Sequence, residues 1–246
     1  MNPHKLTVRA AFRSLAVRIF LLLIVVFSSV QNSFPKGPTG GRPAVVVDER
    51  LAALRRTPQL NGALVRRLGR GRLVAIRGSR TTPEGVVFFL VNVTTRTRGW
   101  LQREAVVTSG RAGDDQHLLD LIKDSHGFDR LVRARIFLDH FPRSLLRPAV
   151  LLLLGNTAES QAGELSRDAA RRLNGTTNPA LELSYFLNYT GLDRYNRQGV
   201  HFTFDQTTKR LHYDGSAWRL LLKLHARSPE AVEGRKRLFS QQKQSP

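Results

Sequence analysis

The apolar positions between residues 45 and 107 fall into short stretches separated by turn residues. Val45 to Val47 is a β-branched stretch, residues 72–77 combine apolar with basic side chains, and residues 86–93 form an apolar run of strand length. Glycine, proline and serine between these stretches supply the backbone that tight reversals need. The pattern predicts a small sheet of about sixty residues, close to the lower size limit for a cysteine-free domain that folds alone.

After Val107 the apolar positions recur with a period of about 3.6 residues, which is typical of helices. Asp114 and Asp115 are candidate N-caps of a first helix, Pro142 ends a second helix, and Ser144 can cap a third. Two β-type stretches joined by a polar turn predict one β-hairpin, at residues 200–213, inside this helical region.

The first 30 residues have the pattern of an export signal. Residues 1–18 carry four basic and no acidic side chains, and the apolar run 19–27 follows them. The run has the length of a signal-peptide core, but the cleavage site is weak, so residues 1–30 are predicted to be either a signal peptide or an N-terminal membrane anchor. Residues 31–44 form a linker rich in proline and glycine. We therefore expect an exported protein, either periplasmic or held in the inner membrane by its N-terminal helix.

An ordered set of residues between positions 45 and 107 carries a family resemblance. The set comprises Leu54-Arg55, Pro58, Gly62, Leu68-Gly69-Arg70-Gly71, Val74, Phe88-Phe89-Leu90-Val91, Gly99-Trp100 and Ala105-Val106. Together these residues resemble the bacterial SH3 domain of the SH3b type, although Phe88-Phe89 stand where that family usually carries a Trp-Tyr pair. The resemblance implies a small β-barrel that binds or docks. A central strand of an unrelated α+β domain is the alternative for residues 86–93.

Two segments of the helical region resemble each other. Leu138 to Ala149 and Leu222 to Ala231 each combine a helix end, a short break and a serine that can cap the next helix. This arrangement resembles tetratricopeptide-like helical hairpins, and two copies are too few for a solenoid.

These patterns define the predicted organisation. The fold class is multi-domain α+β, in which a small SH3-like β-barrel precedes a mostly α-helical domain that contains one β-hairpin. The predicted segments are the signal peptide or anchor at 1–30, the linker at 31–44, the barrel at 45–107, the helical domain at 114–240 with its hairpin at 200–213, and a polar tail at 241–246.

Charge and cysteine content restrict the function classes. The chain has 39 lysine and arginine residues against 19 acidic ones, a formal net charge of +20, and no cysteine. Without cysteine it has no disulfide, no Cys-containing zinc site and no thiol nucleophile. A strongly basic chain ordinarily suggests a nucleic-acid partner. An exported protein instead meets lipid headgroups and cell-wall polymers, so nucleic acid is not expected as a partner.

The candidate chemistry of the sequence is that of binding. It contains no nucleophile elbow, P-loop, dinucleotide fingerprint or zinc-protease motif, so we predict no catalytic residue, no metal site and no cofactor. The predicted ligand-binding residues are Arg77, Arg96, Arg98 and Trp100, because loop arginines beside an aromatic side chain suit an anionic or carboxylate-bearing partner.

The expected function follows from compartment, fold and charge. We expect a non-catalytic scaffold or binding protein of the bacterial cell envelope, with the cell wall or an envelope protein as partner and with membrane association through the N-terminal helix. One alternative is a cell-wall hydrolase that uses carboxylates of the helical half. A second alternative is a binder of polyanions or membrane surfaces that is driven by net positive charge.

Overall fold

A computed structural model describes residues 40–173 and 178–244. The predicted signal peptide or anchor at 1–30 lies outside the described residues, as do linker residues 31–39. The described residues all belong to one compact unit, which spans residues 38–246. Within the described ranges no helix is both long enough and apolar enough to cross a membrane.

Seven strands form one antiparallel sheet, and two more form a separate hairpin. The strands are β1 Arg42–Val46, β2 Ala53–Arg55, β3 Leu64–Arg67, β4 Leu73–Thr81, β5 Val87–Asn92, β6 Arg98–Gln102, β7 Val106–Val107, β8 Phe202–Asp205 and β9 Arg210–Tyr213. The order in the large sheet is β3-β2-β6-β5-β4-β1-β7, and a short 3-10 helix, Arg103–Ala105, leads from β6 into β7. Because β3 and β7 are edges, the sheet is not closed.

Strand β4 connects the two halves of the large sheet. Its first residues pair with β1, its later residues pair only with β5, and the register shifts between Ile76 and Gly78. Such an irregularity bends a strand and increases its twist. Val46 from one half and Phe89, Val91 and Leu101 from the other are buried in the same apolar cluster. The sheet therefore curls over one core.

Seven α-helices follow the sheet along the described chain. They are α1 Asp114–Lys123, α2 Gly127–His140, α3 Arg147–Arg172, α4 Pro179–Asn188, α5 Leu192–Asn196, α6 Ser216–Leu224 and α7 Pro229–Gln244. The longest helix, α3, packs against α2, α6, α7 and the hairpin strand β9. The predicted α+β content, with one β-hairpin among the helices, is confirmed, whereas the sheet predicted as a barrel is open.

The side chains of β1 alternate between two cores. Ala44 and Val46 lie in the sheet core, whereas Val45 and Val47 lie in a second core with residues of α1, α2, α3 and α6. Val107 of β7 joins that second core, and its neighbour Val106 points into the first. Because successive side chains of a strand point to opposite faces, one strand supplies both cores.

Asp114 has a different role from the predicted N-cap. The N-cap of α1 is Gly113, whose φ of 82° is in the left-handed region that glycine adopts without strain. Asp114 is buried, and its Oδ2 accepts a hydrogen bond of 2.6 Å from the backbone N–H of Thr108. Its Oδ1 also pairs with the guanidinium of Arg111. The carboxylate thus attaches the end of the sheet to the first helix.

The predicted polar tail at 241–246 is partly helical, since α7 continues to Gln244. The side-chain amide of Gln241 donates hydrogen bonds to the backbone oxygen of Tyr213 and to Oε2 of Glu159. These contacts give the end of α7 partners on α3 and on the hairpin. A composition of glutamine and lysine alone does not reveal them.

Candidate functional site

The outer face of the sheet is the side that points away from the sheet core. It carries Leu90 and Asn92 of β5 and Arg98, Trp100 and Gln102 of β6, all half-buried or exposed. Trp100 lies opposite Leu90 in the register and is half-buried. The register therefore places Trp100 directly beside the strand predicted at 86–93.

Gly99 lets strand β2 approach β6 closely. A Cβ atom at this position would lie 2.7 Å from the backbone oxygen of Arg55 and 2.8 Å from Cγ of Leu54. Arg55 is the cross-strand partner of Trp100. Because Gly99 has no side chain, β2 can lie close to β6, and the loop that follows β2 is thereby placed at the outer face.

That loop and the β4–β5 hairpin enclose a cleft of about 700 Å³. We call it the loop–hairpin cleft. Its lining residues are Thr57, Pro58, Gln59, Leu60 and Asn61 from the loop and Arg80, Thr81, Thr82, Pro83, Glu84 and Val86 from the hairpin. The cleft is open to solvent at its rim, where the side chain of Leu60 is 55% exposed.

The floor beside the cleft is apolar. Phe88 is the cross-strand partner of Arg80 and is fully buried, although Leu90 and Asn92 on the same face are half-exposed. The loop 57–61 is the described segment that reaches Arg80 across the cleft. We infer that this loop covers Phe88.

Internal hydrogen bonds fix the loop. The backbone N–H of Gly62 donates to the oxygen of Gln59 at 3.1 Å, and the Arg55 guanidinium donates to the oxygen of Gly62 at 2.8 Å. A Cβ at Gly62 would come within 3.1 Å of two backbone oxygens, those of Thr57 and Gln59. The Oγ1 of Thr57 also donates to Oε1 of Gln59 at 3.5 Å. The loop is therefore held by hydrogen bonds to its backbone and by one bond between its own side chains.

A tight turn fixes the other wall of the cleft. The backbone N–H groups of Thr82 and Gly85 donate to the oxygens of Val86 and Thr82, each at 2.9 Å, and Gly85 has a φ of 81°. A hydrogen bond from the side chain of Thr82 lowers the pKa of Glu84 below its ordinary value. Glu84 is therefore ionised at neutral pH, four residues from the cationic Arg80.

The lining of the cleft suits binding of an extended segment. Pro58, Leu60, Pro83 and Val86 offer apolar contact, and the threonine, glutamine and asparagine side chains offer donors and acceptors. Arg80 forms no ion pair with any carboxylate of the described residues, so its guanidinium is available to an anionic ligand group. Within the described chain, no group of three His, Asp or Glu side chains could hold a metal ion.

The structure separates the four residues that the sequence predicted as ligand-binding. Arg98 and Trp100 share the outer face of β6, and Arg96 lies in the turn that precedes this strand. Arg77 lies at the irregular position of β4, where a Cβ built on Gly40 would lie 2.9 Å from its guanidinium nitrogens. None of the four lines the loop–hairpin cleft.

The residues of the cleft carry a signal in the sequence. The sequences Thr57-Pro-Gln-Leu-Asn-Gly62 and Thr82-Pro-Glu-Gly85 both have the proline and glycine of a reversal. Loops held by a rigid scaffold often carry binding residues. The sequence does not show that the first loop folds back toward the second.

Positive charge is concentrated on the sheet. Residues 40–107 contain 13 arginines, no lysine and four acidic residues, so their formal net charge is +9. Arg50 and Arg70 form ion pairs with described carboxylates, and the other arginines of this segment form none within the described ranges. The sheet therefore presents many uncompensated guanidinium groups.

Comparison with protein-family models, with curated proteins and with solved structures found no match to this chain. The function therefore has to be argued from the residues and their geometry.

Proposed function

We propose that this chain is a non-catalytic binding or scaffold protein of the bacterial cell envelope, and that its sheet is an SH3b-like module for the cell wall or an envelope protein. Three features support this proposal. The sheet curls over a single small core, consecutive strands β4, β5 and β6 are joined by tight turns, and a 3-10 helix precedes the last strand. The Gly99-Trp100 pair of the family resemblance also has a clear structural role at the β2–β6 contact.

The observation that carries the proposal is the loop–hairpin cleft. A concave site with apolar walls and a few polar groups is the usual form of a ligand pocket. Here the cleft has one uncompensated cation, Arg80, and lies on a surface with a formal charge of +9. The natural ligand is an extended polymer segment or peptide that bears a carboxylate.

Replacing the cation of the cleft should weaken binding. Arg80→Ser removes a charged hydrogen-bond donor, and such bonds contribute about 1.5 to 3 kcal/mol, so we expect a loss of affinity of roughly tenfold or more. The measurement is co-sedimentation of the full chain with purified peptidoglycan, at low and at moderate ionic strength. The Arg80→Ser variant should fold as the wild-type protein does, because Arg80 is exposed.

Arg96→Ser is the matched control. It removes the same charge from an exposed position of the same sheet, but Arg96 does not line the cleft. We expect it to retain nearly full binding at moderate salt. If Arg96→Ser and the paired change of Arg96 and Arg98 to Ser weaken binding as much as Arg80→Ser does, the binding surface is the predicted set around Trp100. If no variant changes binding, the sheet is not the binding module.

A second candidate function is binding of polyanionic surfaces by charge alone. The +9 charge of residues 40–107 favours it, because uncompensated arginines attract anionic lipids and wall polymers without a specific contact. Such binding is screened by salt. Binding that disappears equally for all variants between low and moderate ionic strength would favour this function over recognition in the cleft.

Export is part of the proposal. The basic start and the apolar run 19–27 of the sequence are expected to direct the body out of the cytoplasm. A reporter that is active only after export, fused after residue 40, should be active and should be processed slowly or not at all. A soluble cytoplasmic fusion protein would contradict the envelope location.

A further inference from the structure

A cavity of about 450 Å³ lies where the end of β1 meets the loop between α1 and α2. Its lining includes Arg133 of α2, Arg70 from the β3–β4 connection, and the acidic residues Glu49, Asp124 and Asp129. None of these residues lines the loop–hairpin cleft. This second cavity is therefore independent of the surface on which the proposed function rests.

Arg133 is a buried cation with an incomplete set of partners. The residue is 7% exposed, its Nε donates to the backbone oxygen of Val47 at 3.2 Å, and its Nη1 donates to Oγ of Ser125 at 2.6 Å. Its Nη2 has no hydrogen-bond partner in the described part of the chain, and no carboxylate there forms an ion pair with it. The nearest compensating charges, the carboxylates of Asp48 and Asp129, act on Arg133 only from beyond ion-pair distance, so the guanidinium lacks a direct counter-ion contact.

The nearby carboxylates are already engaged with other arginines. Arg70 contacts Glu49 at 3.0 Å and Asp129 at 2.9 Å. Asp48 pairs with Arg50 at 2.7 Å. Arg133 is thus the cation of this cavity that lacks a carboxylate within 4.0 Å among the described residues.

The positive and negative side chains lie at different depths in the cavity. Arg133 lies at the buried end, whereas the side chains of Glu49 and Asp129 are 51% and 60% exposed at the mouth. Burial, reinforced by Arg70, lowers the pKa of Arg133, and the carboxylates of Asp48 and Asp129 partly offset this effect. An arginine guanidinium nevertheless stays protonated in proteins. Arg50 also lines the cavity and is paired with Asp48, so the mouth is anionic only because the two carboxylates of Glu49 and Asp129 share the single cation Arg70. The cavity therefore combines a cationic floor with this acidic mouth.

We propose that this cavity binds a small zwitterion, an α-amino carboxylate, with its carboxylate on Arg133 and its ammonium group facing Glu49 and Asp129. The guanidinium presents Nη2 and a second N–H of Nη1 as a fork that matches a carboxylate. The acidic mouth attracts the ammonium group and repels a phosphate or another dianion. A free amino acid and the terminal residue of a short peptide have the required chemistry.

Titration calorimetry of the full chain with glycine, at constant ionic strength, tests this proposal. A ligand of this size gives a Kd on the order of millimolar. Acetate and ethylammonium, which each carry one of the two charges, should bind roughly tenfold more weakly. Acetate binding as tight as glycine binding would overturn the role of the mouth, and the absence of glycine binding would overturn the site.

Two variants locate the binding. Arg133→Lys keeps the positive charge but loses the forked guanidinium, and it should weaken glycine binding roughly tenfold. Arg130→Lys is the control and should leave glycine binding unchanged. The Arg130 guanidinium donates to the carbonyl oxygens of Ile122 and Lys123 and does not line the cavity. Unchanged glycine binding in Arg133→Lys contradicts the proposal.

A variant at the mouth keeps the test valid if Arg133→Lys fails to fold. Asp129 is largely exposed, so Asp129→Asn should fold. It should weaken glycine binding and leave acetate binding unchanged or stronger. Equal effects on glycine and acetate would contradict the proposed orientation. The loop–hairpin variant Arg80→Ser should not affect glycine binding, which separates failure of this site from failure of the proposed function.

Discussion

Gly155→Ala should destabilise the protein by about 2 to 3 kcal/mol, although alanine is the better helix former. Gly155 lies inside α3, and the indole of Trp218 from α6 packs directly on its backbone. A Cβ at this position would come within 2.6 Å of Cδ1 and 2.7 Å of Cε2 of that ring. Trp218 is 1% exposed and also makes an edge contact with Tyr213, so it has no free space into which it can move.

Gly163→Ala is the control for this effect. Gly163 lies in the same helix, and a Cβ at this position would meet only the flexible end of the Arg167 side chain, at 3.4 Å. We expect it to be neutral or to stabilise α3 by up to about 1 kcal/mol. The measurement is the free energy of unfolding in urea. Equal stabilities of the two variants would show that α6 does not pack on α3 as described.

Gly99→Ala should unfold the sheet surface that carries the cleft, with a cost of about 3 kcal/mol. The added methyl group would contact the backbone oxygen of Arg55 and the Leu54 side chain, whose exposure is 0%. A backbone oxygen in a paired strand cannot rotate away as a flexible side chain can. The expected result is separation of β2 from β6, followed by displacement of the loop 57–61 from the loop–hairpin cleft.

Gly78→Ala is the comparable change in another strand of the same sheet, β4. A Cβ at Gly78 would meet no obstructing atom within 4 Å. The free energy of unfolding of Gly78→Ala should therefore be unchanged or slightly higher. Trp100 and Trp218 are the two tryptophans of the chain, so fluorescence follows the sheet and the helical part. A Gly99→Ala protein with the same urea midpoint as Gly78→Ala would contradict the close β2–β6 contact.

Periodicity predicted the elements of this chain because burial on one face is a local property. The run 86–93 became β5 at Val87–Asn92, and the helix predicted to follow Ser144 begins at Arg147. The prediction that Ser144 caps this helix is wrong, because the N-cap is Leu146 and no side chain caps the helix. The Oγ of Ser144 instead accepts a hydrogen bond from the backbone N–H of Leu146 in the turn before the helix. Strong apolar patterns bounded by turn residues therefore give the order and type of elements.

The candidate sites depended on contacts that sequence spacing does not encode. The loop–hairpin cleft brings residues 57–61 to residues 80–86, and the second cavity brings Arg133 to Val47, 86 positions away. Trp100 shows a related limit of prediction from the sequence. A strand pattern gives the alternation of side chains but does not tell whether a large aromatic side chain belongs to the core face or to the outer face.

The alternation along β1 affects how this protein can be divided. With Val46 in the sheet core and Val45 and Val47 in the helical core, a cut between residues 107 and 114 would leave two apolar surfaces without their partners. The segment 45–107 therefore cannot be moved to another protein as an independent unit without exposing its share of the helical core. Because one strand supplies both cores, a ligand that binds at one core can alter the stability of the other.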